Sequence, residues 1–142
     1  MSSHHPMFLI SITRLRLRSR RYVPAFIFYS LQSLWQAWQS EGNFHARVKL
    51  DAHLAFWTVT LWESEAHMRA FQSSGSHRRV MPKLAEWCDE ATYVHWMQES
   101  KKRPGWDIIY LRLVSEGIIS HVKNPSPNHE KRTFPRPIVC RL

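Results

Sequence analysis

Two ring-bearing side chains, Trp62 and His77, occupy positions in the sequence that suit them to hold a flat aromatic ligand. Trp62 ends the apolar stretch FWTVTLW, and His77 follows the small-residue run SSGS, which interrupts one helical pattern and permits another helix to begin. Because a helix start disfavours an imidazolium ion, we expect a neutral His77 ring that can bind iron or accept a proton. An indole beside such a ring suits a ligand that stacks on one group and is ligated or hydrogen-bonded by the other. Both residues are therefore predicted to be catalytic, with capping or packing as the alternative for His77.

Five further side chains are predicted to line a pocket beside these two rings. Thr60 shares a strand face with Trp62, and His95 lies on a later strand, where it can face a pocket. A structural role is the alternative for His67, which is at helical spacing from Phe71, and for His95. A mostly apolar pocket with a few polar groups predicts a hydrophobic or aromatic small molecule as the ligand. The predicted pocket residues are Thr60, His67, Phe71, Met81 and His95.

Hydrophobic periodicity predicts the elements that must position these residues. Apolar residues that alternate with polar ones indicate strands, and apolar residues three and four apart indicate helices. The resulting order is βαββαβ, the ferredoxin-like α+β arrangement with both helices on one face of an antiparallel sheet. The predicted elements are strands over 7–17, 43–51, 56–62 and 92–98, helices over 22–41 and from Ser64 onward with a break at SSGS, and a short helix from Trp106 to about Gly117.

The apolar rows of the two long helices predict which side chains enter the core. In the first helix the row consists of Val23, Ile27, Leu31, Leu34, Trp35 and Trp38. In the last helix before residue 92, the rows continue through Cys88 and Ala91. We expect Trp35 and Trp87 to be buried on these faces.

Apolar residues on both faces of the predicted sheet indicate that the face away from the helices needs a cover. A symmetric homodimer joined sheet to sheet, and thus a dimeric α/β barrel, would supply that cover. Residues 7–100 are predicted to form the ferredoxin-like domain. Residues 101–142 are predicted to form a C-terminal extension, with the short helix followed by a Pro-rich arm.

The charge of the chain is strongly basic, with 20 Lys and Arg against 11 Asp and Glu and a formal net charge of +9. Solvated charge, an anionic small ligand and nucleic acid are the three interpretations of this balance. The basic residues are dispersed and lack an aromatic strand motif for bases, so specific nucleic-acid binding is not expected. Arg14, Arg16 and Arg18 follow one strand face, so either the strand runs into solvent or these arginines meet negative groups.

Other chemistries have little support in the sequence. Cys88 and Cys140 are far apart and form no ligand spacing, which argues against a disulfide framework or a zinc site. The apolar segment at the N-terminus is too short to span a bilayer and lacks a preceding basic region, so neither a signal peptide nor a transmembrane segment is expected. A cytoplasmic location is the simplest expectation.

Several stretches resemble one known superfamily. TLWESEAHMRAF and SGSHRRVMPKLAEWCDEATYVHW, together with RYVPAF and NPSPNH, are similar to the antibiotic-biosynthesis-monooxygenase-like dimeric α/β barrels, in particular to a bacterial branch related to spheroidene monooxygenase-like proteins. The resemblance implies a homodimer and either cofactor-free oxygenation or haem chemistry. In the haem-degrading members, a strand-terminal Trp and a helical His flank the macrocycle. The resemblance therefore implies that Trp62 matches that Trp and that His77 is the cofactor-binding axial ligand.

Two functions follow from these observations. The first is a monooxygenase-like oxidoreductase that acts on a hydrophobic or polycyclic small molecule, with haem as a possible cofactor. The second is a homodimer that binds haem or another small molecule without catalysis.

Overall fold

The computed structural model describes residues 5–137 of the chain. Cys140 and the end of the predicted arm lie outside these residues. A 3-10 turn over Arg20–Tyr22 precedes the first helix. The elements are β1 Phe8–Leu17, α1 Val23–Gln39, β2 Asn43–Leu50, β3 Ala55–Trp62, α2 Glu65–Gln72, α3 Gly75–Trp87, β4 Cys88–Gln98, α4 Trp106–Glu116 and β5 Ile118–Ile119.

The strands form one five-stranded antiparallel sheet in the order β2-β3-β1-β4-β5. β1 is its central strand, and Ile12 lies opposite Val59 on one side and Val94 on the other. The predicted ferredoxin-like βαββαβ order is confirmed. The two-residue strand β5, which the sequence did not predict, extends the sheet beyond β4.

Helices cover both faces of the sheet, and this arrangement differs from the expected one. α1, α2 and α3 lie on one face, while α4 packs on the other, where Ile109 and Leu113 join Ile10, Ile12 and Trp57 in one cluster with no solvent exposure. Phe134 of the C-terminal segment completes this cover. The expectation of an uncovered face that needs a second copy is therefore wrong, because the chain covers this face itself. The homodimer stays a prediction without that argument.

The last long strand begins earlier than the sequence pattern predicts. Cys88 and Ala91 belong to β4 and not to α3, which ends at Trp87. The reason is tertiary, since β1 pairs with β4 along almost its whole length and holds Cys88 opposite Leu17. The spacing of Cys88 and Ala91 is compatible with either a helix or a strand. Their hydrogen-bonded pairing with β1 decides for the strand.

The arginines of β1 meet carboxylates. Arg14 Nη1 is 3.3 Å from Glu90 Oε1, and both side chains are buried. Arg16 Nη1 is 2.6 Å from Asp89 Oδ2, and Arg18 Nη2 is 3.0 Å from Glu86 Oε1. The row of arginines therefore ties β1 to β4 and the end of α3, and it does not mark a strand that leaves the core.

One apolar face of α1 is exposed, in contrast to its predicted burial. Trp35 is 60% exposed and Leu31 is 61% exposed, while Phe26 and Ala37 on the opposite side of the helix are buried. The expectation that Trp35 is a core residue is therefore wrong, although Trp87 is half-buried as part of the core around Phe26. We name the exposed face the α1 stripe, formed by Ile27, Phe28, Leu31, Trp35 and Trp38.

Among residues 5–137, no helix combines the length and the apolar character required to cross a bilayer.

Candidate functional site

A cavity of about 480 Å³ lies between the sheet and the three helices α1, α2 and α3. A volume of this size is within the range of small-molecule sites. Its walls come from every strand except β5 and from the segment that follows β5, so a ligand would contact most elements of the domain.

The floor of the cavity is a set of hydroxyl groups on neighbouring strands. Ser11 of β1 lies opposite Thr60 of β3, and Thr13 lies opposite Thr58. Residues paired in this way have Cβ atoms about 5 Å apart, so the four hydroxyls form one compact group. We name Ser11, Thr13, Thr58 and Thr60 the hydroxyl floor. The same rows continue onto β4, where Ser11 lies opposite His95 and Thr13 opposite Tyr93.

The roof of the cavity is mostly apolar and comes from the helices. The apolar rows that make α2 and α3 amphipathic place Phe71, Val80 and Leu84 over the floor. Met81, which also lines the cavity, is half exposed and lies at its open side. A ligand would therefore meet hydroxyls on one side and hydrocarbon on the other.

The lining carries no formal charge. Among the described residues that line the cavity there is no Asp, Glu, Lys or Arg. Its titratable side chains are His77, His95, His121, Tyr29 and Tyr93. Charged ligand groups would lose hydration here without an ionic partner, so the cavity favours a neutral molecule.

His77 is held firmly at the start of α3. Its backbone N–H donates to Gln36 Oε1 at 3.1 Å, and Gln36 Nε2 in turn donates to the carbonyl of Ser74 at 2.8 Å, so α1 clamps the corner between α2 and α3. Gly75 within this corner has a φ of 59°, as its place in the SSGS break predicts. The imidazole packs at a tilt on Phe71, with 4.8 Å between ring centroids and 51° between the ring planes.

Burial lowers the pKa of His77 below its ordinary value, while a contact of Nδ1 with the carbonyl of Gln72 at 3.4 Å opposes the shift. The expected neutral ring is thus supported, with desolvation as its main cause. A tautomer that carries its proton on Nδ1 donates to this carbonyl and leaves Nε2 as a base or metal ligand.

His95 lines the cavity from β4, as predicted. Its ring packs on Tyr93 with 5.3 Å between centroids. Although His95 keeps substantial solvent exposure, desolvation by the surrounding cavity wall lowers its pKa, and the negative charge of Glu65 opposes that effect. His95 and His77 therefore give the cavity two imidazoles that favour the neutral form.

Trp62 does not reach the cavity. It is fully buried among Leu9, Met68 and Phe71, and its ring centroid lies 5.2 Å from that of Phe71. Phe71 thus contacts both the indole and the imidazole of His77, and Phe71 itself lines the cavity. The expectation that Trp62 stands at the mouth and touches a ligand is wrong in this geometry, since Phe71 takes that place.

His67 also lies away from the cavity lining. Its Nδ1 is 2.7 Å from Ser64 Oγ, and its ring packs so closely on Gly42 that a Cβ there would overlap the ring. The ring supports the start of α2 and the turn into β2, which agrees with the structural alternative for this residue. Of the predicted pocket residues, Thr60, Phe71, Met81 and His95 line the cavity.

Several residues that line the cavity were not predicted from the sequence. The hydroxyl floor was visible as the alternating pairs SIT and TVT, each with hydroxyls on a single strand face. Tyr93 could have been placed from its alternation with His95. His121 could not, because it follows β5, whose position beside β4 is a tertiary feature.

The cavity fits only part of a haem site. His77 Nε2 suits an iron ligand, but the described lining offers no cation to pair with the two propionates. In residues 5–137 no group of three or more His, Cys, Asp or Glu side chains is placed to hold a metal ion.

No protein-family model and no curated protein matches this sequence. Among solved structures, the fold is similar to that of a Nitrosomonas europaea protein named as a candidate antibiotic biosynthesis monooxygenase. The two share 13% identity and a TM-score of 0.58, and the match covers 74% of this chain and 100% of that one. A Chloroflexus aurantiacus protein of the same designation has 18% identity and a TM-score of 0.52, with 70% of this chain and 97% of that chain covered. A conserved protein from Methanosarcina mazei has 14% identity and a TM-score of 0.58, and the match covers 65% of this chain and 93% of that chain.

The shared part corresponds in length to the unit from β1 to β4, which makes up about two thirds of the chain. At these identities the likeness establishes the fold. The narrower resemblance to the branch related to spheroidene monooxygenase stays a prediction. The described chain therefore has the ferredoxin-like α+β fold of the antibiotic-biosynthesis-monooxygenase-like proteins.

Proposed function

We propose that this protein is a monooxygenase-like oxidoreductase that takes a neutral, hydrophobic or polycyclic phenol into the cavity. The observation that carries this proposal is the uncharged lining, which sets the hydroxyl floor against an apolar roof with the neutral His77 at its edge. The floor would hydrogen-bond oxygen atoms of the ligand, and the roof would pack on its rings.

The chemistry assigned to His77 is that of a general base. Transfer of the phenolic proton to Nε2 raises the electron density of the ring, which then reacts with O₂ as the oxidant. In the net reaction one oxygen atom of O₂ becomes the second carbonyl of a quinone. The other leaves as water with the phenolic hydrogen and one ring hydrogen, so atoms and electrons balance.

A second candidate is a protein that binds the same class of ligand without catalysis. The observation in its favour is the burial of Trp62, which removes one of the two residues predicted to act on the ligand. The two candidates share the cavity and differ in whether bound phenol consumes O₂.

The experiment uses 1-naphthol as the probe, with calorimetry for binding and an oxygen electrode for turnover. We expect the parent to bind and oxidise the probe, and His77→Gln to bind it while oxidising it about 10² to 10⁴ times more slowly. His53→Gln is the matched control, because that histidine is exposed in the turn between β2 and β3. Binding without oxygen uptake by the parent would select the non-catalytic candidate, and absence of binding would reject both.

Haem is the alternative occupant that we propose for the same cavity. Its support is the free Nε2 of His77, and its weakness is the uncharged lining. A Soret band in freshly purified protein, lost in His77→Gln and retained in His53→Gln, would replace the cofactor-free chemistry with a haem-dependent one.

A cytoplasmic location is likewise proposed. Its support is the free thiol of Cys88, whose pKa is raised to about 12 by burial and by the nearby Asp89. Such a thiol is inert and requires no oxidising compartment. Fractionation of the source cells would test the location directly.

A further inference from the structure

The α1 stripe departs clearly from an ordinary protein surface. Phe28, Leu31, Trp35 and Trp38 are each more than half exposed, and they repeat at spacings of three and four residues along one side of α1. From Ile27 to Trp38 the stripe runs for about 17 Å at 1.5 Å per residue. Large contiguous apolar surfaces of this kind mark contact sites, since single exposed apolar residues are normal but rows of aromatic ones are not.

The opposite side of α1 already has its partners, so the stripe is not a loosely packed core. Phe26 packs on Phe56 with 4.3 Å between ring centroids, and Ala37 is buried beside β2 and β3. Trp38 Nε1 donates to the carbonyl of Ala46 at 3.0 Å, which fixes the exposed indole on the edge of the sheet. The stripe is therefore presented outward by a rigid helix.

Cations lie at the N-terminal end of the stripe and along one flank of α1. Arg20 and Arg21 are exposed at the turn that precedes α1, and Arg78, Arg79 and Lys83 are exposed on the neighbouring α3. Arg79 shares a shallow groove with Trp35, and Lys83 Nζ donates to Tyr29 Oη at 3.0 Å. We name these five residues the cationic rim.

Negative charge is nearly absent from the same surface. Residues 18–40 contain no Asp or Glu, and Glu41 just after α1 is the first carboxylate along this part of the chain. Gly75–Ala85 of α3 also lacks acids, and Glu86 at its far end is paired with Arg18 and Lys123. An uncharged aromatic stripe with basic neighbours matches the two requirements of an anionic bilayer surface, which are apolar insertion and electrostatic attraction.

A second copy of this chain fits the surface less well. A two-fold symmetric contact through the stripe would place the same face on both copies and bring the two cationic rims toward each other. Contact with an anionic bilayer carries no such repulsion, because the lipid headgroups would neutralise the cationic rim. Aromatic residues such as Trp also suit the level of the lipid headgroups.

We propose that the α1 stripe and the cationic rim form a docking surface for an anionic lipid bilayer. The domain binds at the interface without spanning it, with the Phe, Leu and Trp side chains inserted at the headgroup boundary. This inference does not depend on the chemistry proposed for the cavity.

The test measures cosedimentation with phosphatidylcholine vesicles prepared with and without phosphatidylglycerol. We expect binding to the anionic vesicles, a blue shift of tryptophan emission, and weaker binding as salt is raised to about 0.15 M and above. The double variant Leu31→Gln/Trp35→Gln and the charge reversal Arg78→Glu/Arg79→Glu should each lower partitioning by roughly tenfold or more.

The matched control is Ile108→Gln/Leu111→Gln on α4, which removes two equally apolar side chains, each 50% exposed, from the opposite face of the molecule. This control should bind vesicles as the parent does, and circular dichroism should show all variants folded. Equal loss in the control and the stripe variant, or no binding of the parent to anionic vesicles, would overturn the proposal. So would a sedimentation mass near twice 16.9 kDa that falls to the monomer value in the stripe variant without vesicle binding, since it would assign the surface to a second copy.

Discussion

Desolvation of three histidines links the stability of the protein to pH. The pKa values of His77, His95 and His45 are all lowered, chiefly by desolvation, and nearby Arg103 and Arg47 add to the effect at His45. Below pH 6.5, the ordinary pKa of histidine, these side chains bind protons in the unfolded chain but bind fewer of them in the folded chain. The stabilisation is therefore fully present above pH 6.5 and is lost as the pH falls from 6.5 through the lower folded-state pKa values.

The first prediction concerns His77 in this pH range. His77→Gln removes one group that must remain neutral, so its free energy of unfolding should fall less steeply between pH 7 and pH 5 than that of the parent. One proton changes this slope by at most about 1.4 kcal/mol per pH unit. Urea unfolding at a series of pH values measures it. A variant slope equal to that of the parent would show that folding does not hinder protonation of the partly buried ring.

The second prediction concerns the buried pair of Arg14 and Glu90. Arg14 is 1% exposed, and its guanidinium also lies over the ring of Phe134 at 4.3 Å. Glu90→Gln would leave this cation without its carboxylate, and we expect a loss of about 3 to 5 kcal/mol in the free energy of unfolding.

The matched control for that pair is Glu65→Gln. Glu65 Oε1 accepts from Arg69 at 2.7 Å on the exposed side of α2, so its loss should cost less than about 1 kcal/mol. Denaturant unfolding of both variants gives the comparison. Similar costs for the two would mean that burial does not distinguish the pairs.

The helix α4 allows a direct test of its role as the cover of the sheet. Ile109→Ala removes a side chain with no solvent exposure and should cost about 2 to 5 kcal/mol of unfolding free energy. Leu111→Ala, two residues away and 50% exposed, should cost less than about 1 kcal/mol. Equal effects in thermal or urea unfolding would contradict the packing of α4 on the sheet.

The elements themselves were largely predictable from local pattern. Strands β1, β2 and β3 alternate clearly, and each was placed within a residue of its observed bounds. Helix α4 was also predicted closely, from Trp106 onward. The face of the sheet on which α4 packs was not predictable. The apolar residues of α4 indicate that one side of the helix is buried, but they do not indicate which surface it packs against.

For helix α1, too, the sequence predicts the helix but not the side that packs on the sheet. Its sequence is apolar over most of its circumference, so the 3.6-residue period identified the helix but could not decide which side faces the sheet. The sheet selects the side with small residues, Ala37 and Ser33, and leaves Trp35 outside.

The candidate site was predictable to a similar degree. Residues placed by strand alternation or by helix period, such as Thr60, Phe71, Met81 and His95, line the cavity. The predictions for Trp62 and His67, which lie near the ends of their elements, are wrong for a different reason: each side chain is occupied by a neighbour outside the cavity. Trp62 packs on Phe71, which takes the place at the cavity wall, and His67 packs on Gly42. The local sequence does not encode these tertiary contacts.

At the scale of the whole molecule, the two faces of the sheet have different tasks. The face with α4 is a buried core that contains the Arg14 pair. The face with α1, α2 and α3 contains the cavity, and α1 carries the α1 stripe on its outer side. Substitutions near α4 should therefore act on stability, and substitutions near α3 on ligand binding.

The cover that α4 supplies has a consequence for dilution. A sheet closed by a second chain loses its cover as the protein concentration falls, because association depends on mass action. A sheet closed by its own chain has a tethered cover, whose effective concentration is fixed by the short segment between β4 and α4. We therefore expect the chain to stay folded, with a cooperative thermal transition, when it is diluted a hundredfold in lipid-free buffer, also below the concentration at which the predicted homodimer would dissociate. Loss of the folded circular dichroism spectrum on dilution would instead reveal that the folded state requires a second copy.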